Sequence, residues 1–283
     1  MSAGSDDSGG GGERSAVVVT GASTGIGRAT ALRLAELGFH VLAGVRREAD
    51  GERLAWDAPG ALTPLILDVT DEGSIEAAAG EVEKATGEGG LRGLVNNAGT
   101  AEAAPIELLP LEALRRQLEV NLVGQIAVTQ ALLPALRRAG GRIVNVSSVG
   151  GRVSTPAIGA YSVSKFALEA ISDALRVELR PWGIEVAVIE PGAIRTEIWR
   201  RGEAEAESML ERVPEEKRGA VPTPDRRSVA PLGAVAETRD RPRSRRRPDR
   251  ARADRAPAPD PVRRRHGCPH ADRASRPAPG PRL

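Results

Sequence analysis

Tyr161 and Lys165 stand four residues apart at the start of a long helical pattern. On a helix this spacing places both side chains on one face, one turn apart. A free tyrosine has a pKa of about 10, and a neighbouring positive charge lowers that pKa by favouring the phenolate. The pair could then exchange a proton near neutral pH, as general acid–base chemistry requires. Ser148 follows an apolar strand pattern upstream, and its hydroxyl could hold a substrate oxygen against the tyrosine.

A glycine-rich turn occupies residues 21–27, directly after an apolar run over residues 15–20. The apolar run predicts a buried strand, and a helical pattern follows the turn and ends at Gly38. This is the context of a phosphate-binding loop, because glycines let the backbone approach a pyrophosphate and a helix N-terminus offers unpaired N–H groups. A tight turn without a ligand is the alternative interpretation.

Arg46 and Arg47 follow the second predicted strand, residues 40–45. A carboxylate at this point would bind the ribose 2′-hydroxyl of NAD, whereas arginine accommodates the 2′-phosphate of NADP. Two cations and no carboxylate therefore favour NADP(H), with NAD(H) as the alternative cofactor. Arginines that only face solvent are the other interpretation.

Further strand patterns at residues 62–68, 91–95, 141–147 and 184–190 alternate with helical connections. This alternation predicts an α/β fold of the Rossmann type, a doubly wound parallel sheet in three layers (αβα). In such sheets the ligand lies at the carboxyl ends of the strands. Polar or glycine-rich features fall at these ends throughout the chain: residues 21–27, Arg46, Asp68, residues 96–99, Ser148 and Pro191-Gly192. Their shared edge favours catalysis by Tyr161 over a surface tyrosine beside a solvated lysine.

Composition narrows the class of protein. The chain of 283 residues is 40% hydrophobic and 2% aromatic, so its core must be aliphatic. Cys268 is the only cysteine, which excludes an internal disulfide and a cysteine-based zinc site; no metal is expected. The sequence has no signal-peptide pattern and no apolar run near the roughly 20 residues that span a bilayer. We therefore expect a cytoplasmic protein that binds no membrane.

These motifs together resemble the short-chain dehydrogenase/reductase family. The matching segments are T-G-A-S-T-G-I-G (residues 20–27), D-V (68–69), N-N-A-G (96–99), Asn121, S-S-V-G-G (147–151), Y-S-V-S-K (161–165) and P-G-x-x-x-T (191–196). The resemblance covers about residues 15–200. It implies hydride transfer between a nicotinamide and a small-molecule carbonyl or secondary alcohol, in a homodimer or homotetramer.

The resemblance also implies a role for each site residue. Tyr161 would be the general acid or base, and Ser148 would bind the substrate oxygen. Lys165 would hold the nicotinamide ribose and lower the Tyr161 pKa, and Asn121 would bind a water in a proton relay. The implied cofactor contacts are Thr20, Gly21, Ser23, Thr24, Gly25, Ile26, Gly27, Arg46, Arg47, Asp68, Val69, Asn97, Ala98, Gly99, Tyr161, Lys165, Pro191, Gly192, Ile194 and Thr196.

The C-terminal residues depart from this pattern. Residues 219–283 contain 17 Arg, 12 Pro and 7 Asp plus Glu, a charge of +10 that leaves −8 for residues 1–218 out of a total of +2. We predict a disordered leader (1–14), a catalytic domain (15–218) and a disordered tail (219–283). The tail could be a bland appendage, an arginine-rich arm for polyanions, or the product of out-of-frame translation. An acidic body and a tail without aromatic residues argue against nucleic-acid binding.

No pattern for the family's usual final helix and seventh strand follows residue 218. In the family this segment closes the substrate pocket, so its loss would leave the cofactor half of the site intact and the other half incomplete. The alternative function is therefore a catalytically silent NAD(P)-binding protein.

Overall fold

One parallel sheet organises the residues that a computed structural model describes, which are 15–192, 194, 197 and 198. Its six strands lie in the order β3-β2-β1-β4-β5-β6, and every pair is parallel. The strands are β1 (Ala16–Val19), β2 (His40–Val45), β3 (Leu62–Ile66), β4 (Gly93–Asn96), β5 (Arg142–Val146) and β6 (Glu185–Ile189). The predicted doubly wound parallel sheet is confirmed.

Helices connect the strands: α1 (Gly25–Glu36), α2 (Glu48–Trp56), α3 (Glu72–Thr86), α4 (Leu111–Leu118), α5 (Gly124–Ala139) and α6 (Gly159–Glu178). The sequence predicts one helix over residues 111–138, but a π-helical turn, Glu119–Val123, separates α4 from α5. The apolar periodicity of the sequence does not predict α2 as a separate helix. The helical pattern that carries Tyr161 predicts a helix over residues 156–180, and the observed α6 is shorter at both ends.

The sheet is buried on both faces because neighbouring apolar residues alternate between two hydrophobic clusters. Val18 packs with Leu94 and Ile143 on one face, whereas Val17 and Val19 pack into the cluster on the other. Covered faces of this kind require near-continuous aliphatic strands, as in β1. The resulting core contains aliphatic side chains, in agreement with the expectation from composition.

All strands point the same way, so their carboxyl ends share one edge, where the candidate site lies. The predicted leader and tail lie outside the described residues, as does any segment that could pair with the free side of β6. Among the helices that the structure describes, none is long and apolar enough to cross a membrane.

Candidate active site

A cleft of about 400 Å³ runs along the carboxyl edge of the sheet. The glycine-rich turn forms one end of it, and Ser148, Tyr161 and Lys165 form the other. The predicted site residues that line the cleft are Gly21, Ser23, Thr24, Gly25, Ile26, Arg46, Asn97, Ala98, Gly99, Ser148, Tyr161, Lys165, Pro191, Gly192 and Ile194. The two halves of the predicted site therefore share one cavity.

The glycine-rich turn is packed tightly against the loop after β4. Gly21 has φ +63°, and a Cβ on it would lie 2.8 Å from the Ala98 Cα. A Cβ on Gly27 would lie 2.3 Å from both the Gly21 carbonyl oxygen and the Asn97 Nδ2. These contacts explain why glycine stands at both positions.

The N-terminus of α1 lies within this turn, and no side chain of the helix's own first turn occupies its N–H groups. Thr24, the residue before the helix, makes no side-chain capping bond, and the first turn holds no carboxylate. The unpaired N–H groups and the positive end of the helix dipole suit a phosphate. The turn therefore fits the pyrophosphate of a dinucleotide.

Thr20 and Asn97 clamp the turn to the loop after β4. The Thr20 hydroxyl accepts hydrogen bonds from the backbone N–H groups of Asn97 and Ala98, both at 2.9 Å. The Asn97 side chain donates to the carbonyl oxygens of Thr20 at 2.9 Å and Gly21 at 3.1 Å. Thr20 is fully buried and does not line the cleft, so its visible role is to shape the loop.

Three buried amides, Gln117, Asn121 and Gln125, form what we call the amide ladder, at four-residue spacing along α4, the π-helical turn and α5. The Gln117 Nε2 donates to the Thr100 carbonyl at 2.7 Å, and its Oε1 accepts from the Glu102 N–H at 2.7 Å. The Gln125 side chain donates to the Ala98 carbonyl. The ladder therefore fixes residues 98–102 along one wall of the cleft.

The Asn121 side chain is occupied within the protein. Its Oδ1 accepts from the Thr100 N–H at 2.8 Å, and its Nδ2 donates to the Thr100 carbonyl at 2.9 Å and to the Ser164 hydroxyl at 3.1 Å. The side-chain groups of Asn121 that could bind a relay water are therefore already hydrogen bonded to Thr100 and Ser164. The role of Asn121 in a proton relay stays a prediction.

Ser148 and Tyr161 meet in the cleft. Ser148 follows β5 and accepts a hydrogen bond from the Gly150 N–H at 3.0 Å, and its side chain also hydrogen bonds to the Tyr161 phenol. Burial raises the Tyr161 pKa, and the bond from Ser148 opposes that rise. The phenol is thus protonated at neutral pH and placed to act as an acid.

Lys165 is buried behind Tyr161. Its Nζ donates to the Val146 carbonyl at 2.8 Å and lies 5.7 Å from the centre of the tyrosine ring. Burial lowers the Lys165 pKa to about 8, while Glu169 acts in the opposite direction. The expected fall of the Tyr161 pKa beside Lys165 is not seen in the polypeptide itself, because desolvation of the phenol outweighs the other influences on it.

The two arginines after β2 differ in their contacts. Arg46 lines the cleft, whereas Arg47 turns to Asp50 and forms an ion pair at 2.7 Å. Asp68 is likewise engaged, because its Oδ1 accepts from the Thr70 N–H at 3.0 Å and from the Thr70 hydroxyl at 2.8 Å. The predicted cofactor contacts that are described but do not line the cleft are Thr20, Gly27, Arg47, Asp68 and Val69. Thr196 lies outside the described residues.

The cleft also has lining residues that the motifs do not indicate, among them Glu102 and Arg116. Glu102 is 2% exposed, and its carboxylate accepts from Arg116 at 2.9 Å. The four-residue spacing of Gln117, Asn121 and Gln125 was a signal for the amide ladder, since it places three amides on one helix face. No comparable pattern links Glu102 to Arg116.

Comparison with known proteins gives a consistent set of relatives. The family model described as short chain dehydrogenase matches residues 15–207. An NADPH-dependent 3-dehydrocapnine reductase of Ornithobacterium rhinotracheale is 41% identical over 66% of this chain and 68% of its own length. A 3-amino-tetrahydro-pyrrolizinone reductase of Xenorhabdus hominickii is 42% identical over 72% of this chain and 70% of its own. Mouse retinol dehydrogenase 5 is 44% identical, but the match spans only 57% of it.

Among solved structures, a short-chain dehydrogenase from Streptomyces avermitilis superposes with a TM-score of 0.61 at 38% identity, covering 65% of this chain and 68% of that one. The family match, the parallel sheet and the shared cleft agree with one another. The chain belongs to the short-chain dehydrogenase family of NAD(P)-dependent oxidoreductases.

Proposed function

We propose that this protein transfers a hydride between NADP(H) and a carbonyl compound or secondary alcohol, with Tyr161 as the general acid or base. The observation that carries the proposal is the hydrogen bond between Ser148 and Tyr161 inside the cleft that also holds the glycine-rich turn. A substrate oxygen between these two hydroxyls would lie within reach of a proton donor. The family fold supplies the dinucleotide end of the same cavity.

In the reductive direction, a nicotinamide whose ribose is held by Tyr161 and Lys165 would supply a hydride to the carbonyl carbon. Tyr161 donates its phenol proton to the carbonyl oxygen, so that the product is an alcohol. Ser148 donates a hydrogen bond to the same oxygen and stabilises the negative charge that develops on it. The ammonium group of Lys165 stabilises the phenolate that remains, and solvent then returns the proton. The oxidative direction reverses each transfer.

Arg46 supports a preference for NADP(H). Its guanidinium lines the cleft beyond β2, where a 2′-phosphate lies in dinucleotide-binding folds, and arginine pairs well with phosphate. One relative is named as NADPH-dependent. Arg47 supports the preference less than Arg46 does, because its guanidinium pairs with Asp50, a carboxylate that it shares with Arg53.

A second candidate function, a catalytically silent NAD(P)-binding protein, is favoured by the extent of the match. The family match ends at residue 207, and the alignments leave part of each relative's own length unmatched. A substrate pocket that needs those further residues would be incomplete while the cofactor end remained whole. The homo-oligomer and the cytoplasmic location stay predictions from the sequence.

Turnover and cofactor binding together separate the two functions. The full chain is incubated with NADPH or NADH and a panel of aldehydes and ketones, and oxidation of the reduced cofactor is followed by absorbance. Thermal unfolding is measured with and without each cofactor. Turnover with NADPH supports the oxidoreductase, stabilisation by NADPH without turnover supports the silent protein, and absence of both contradicts each of them.

A further inference from the structure

Arg152, Glu169 and Glu190 form a cluster of ion pairs next to the part of α6 that carries Lys165. The guanidinium of Arg152 pairs with the Glu169 carboxylate at 2.9 Å and with the Glu190 carboxylate at 2.8 Å. These residues come from α6, from the turn after β5, and from the end of β6. This ion-pair cluster therefore connects three segments that also carry Lys165, Ser148 and Pro191, and all three of those residues line the cleft.

Glu169 is the buried member of this ion-pair cluster. Its side chain is 8% exposed, whereas that of Arg152 is 58% exposed. Its Oε1 is buried and has no hydrogen-bond partner among the described residues. A buried carboxylate with one unpartnered oxygen costs free energy, and an apolar side chain of similar size would avoid that cost. The position is therefore poorly explained by packing alone.

The neighbouring Lys165 can explain why a buried carboxylate stands at position 169. It stands one helical turn before Glu169 on the buried face of α6. Its ammonium group is almost fully buried and donates to a single described acceptor, the Val146 carbonyl. Burial lowers the Lys165 pKa by disfavouring the charged form, and the negative charge of Glu169 acts in the opposite direction.

Other charged or titratable groups come from α6 itself and from every element packed against it, but the electrostatic effect resolved on Lys165 is that of Glu169. Those groups are Tyr161, Asp173, Arg176 and Glu178 of α6, Arg152 and Glu190 of the ion pairs, Glu185 of β6, Glu112, Arg115 and Arg116 of α4, Glu119 of the π-helical turn, and Arg180.

We propose that Glu169, held in place by Arg152, is a positioning residue whose buried negative charge, one helical turn from Lys165, keeps the Lys165 side chain charged. Glu169 does not touch the reacting atoms in this proposal. It acts through Lys165, whose positive charge stabilises the phenolate of Tyr161 after proton transfer. The catalytic meaning rests on the proposed function, whereas the effect of Glu169 on Lys165 can be measured without turnover.

The test uses the small number of lysines in the chain, which are Lys84, Lys165 and Lys217. The full chain is labelled with ¹⁵N at the lysine amines, and the Lys165 signal is assigned by its loss in Lys165→Arg. Its titration midpoint is then compared in wild type and in Glu169→Gln, which removes the charge and keeps the shape. We expect the midpoint to fall by about one pH unit, the low end for loss of a neighbouring opposite charge.

Two controls belong to this experiment. Glu178→Gln makes the same change at an exposed position near the end of α6 and is expected to leave the Lys165 midpoint unchanged. Lys84, which is exposed and paired with Glu81, is expected to titrate identically in every variant. A Lys165 midpoint in Glu169→Gln at or above the wild-type value would overturn the proposal.

Glu169→Asp keeps the charge and withdraws it by one methylene, so it serves if the glutamine variant does not fold. We expect it to lower the midpoint below that of wild type by less than about one pH unit, and a midpoint at or above wild type overturns the proposal here too. Where a substrate is turned over, the basic limb of the pH profile of kcat/KM should move down by the same shift. Failure of turnover with a shifted midpoint would contradict only the proposed function.

Discussion

Asn121 holds both backbone groups of Thr100 with one side-chain amide. Its Oδ1 accepts from the Thr100 N–H at 2.8 Å, and its Nδ2 donates to the Thr100 carbonyl at 2.9 Å. The same Nδ2 donates to the Ser164 hydroxyl, which in turn donates to the Tyr161 carbonyl at 2.7 Å. One buried amide thus connects the wall of the cleft to the first turns of α6.

Asn121→Asp should destabilise the protein. An aspartate keeps the acceptor for the Thr100 N–H but removes both donors and places a carboxylate oxygen against the Thr100 carbonyl. We expect the free energy of unfolding to fall by about 2–4 kcal/mol, since a buried polar group without a partner costs about 1–3 and a charged one more. Denaturant unfolding measures the change.

Gln130→Glu is the control for this change, because it converts an exposed amide of α5 to an acid. Exposed substitutions of this kind usually stay within about 0.5 kcal/mol of wild type. If Asn121→Asp were as stable as Gln130→Glu, the amide would not be holding the loop as described.

Gly27→Ala should distort the glycine-rich turn. The added Cβ would lie 2.3 Å from the Gly21 carbonyl oxygen, which is backbone and cannot move aside easily. We expect a loss of about 1–3 kcal/mol in the free energy of unfolding, typical of overpacking, together with weaker NADPH binding. Thermal unfolding with and without NADPH measures both effects.

Gly80→Ala is the matched control, since Gly80 lies in α3 and a Cβ there meets nothing within 4 Å. Alanine is the better helix former, so this variant should gain about 0.5–1 kcal/mol. Effects of the same sign in the two variants would contradict the steric explanation.

Arg46 and Arg47 should differ in their effect on cofactor choice. We expect Arg46→Ala to weaken NADPH binding by about tenfold or more, a loss of ~1.4 kcal/mol, and to leave NADH binding nearly unchanged. Arg47→Ala should have a smaller effect, because its guanidinium pairs with Asp50. Titration of both cofactors against both variants makes the comparison. A larger loss of NADPH affinity in Arg47→Ala would contradict the assignment of Arg46.

Lys165 should make stability depend on pH above neutrality. Its pKa in the folded chain is about 8, below the 10.5 of an unperturbed lysine. At pH 7 both states are charged and the folded state bears the cost of a buried ammonium. As the pH rises from 8 toward 10.5, the folded state gives up its proton first, so this group's contribution to stability increases and is lost again on acidification.

The comparison of wild type with Lys165→Met isolates this contribution, because other titrations largely cancel. We expect wild type to gain about 2–3 kcal/mol relative to the variant between pH 7 and 10, at ~1.4 kcal/mol for each unit of pKa shift. Denaturant unfolding across this range gives the difference. A constant difference would mean that Lys165 titrates as it does in the unfolded chain.

The fold could be predicted from local patterns because each pattern reflects a local physical cause. Val17, Val18 and Val19 are buried on both sides of the sheet, and continuous aliphatic runs are the signature of such strands. The clustering of the glycine-rich turn, Arg46 and Ser148 at one edge follows from parallel strands alone, and the cleft confirms that they come together.

Contacts between distant side chains could not be predicted in the same way. The ion pair of Arg152 with Glu169, like the pair of the buried Glu102 with the exposed Arg116, depends on how separate elements pack. The direction of the Tyr161 pKa shift depends on the depth of burial, which spacing does not encode. The pairing of Arg47 with Asp50 is local, and its three-residue spacing could have indicated it.

Replacement of Tyr161 by phenylalanine tests the proton-transfer role most directly. The variant removes the phenol oxygen, the group that hydrogen bonds to Ser148, and leaves the ring in its packing with Ala101 and Ile158. The measurement is the rate of NADPH-dependent reduction of a carbonyl compound that wild type reduces, taken together with the Kd for NADPH. We expect turnover to fall by at least about a hundredfold, as for loss of a general acid, with the Kd nearly unchanged. Turnover equal to that of wild type would contradict the role of Tyr161 as the proton donor.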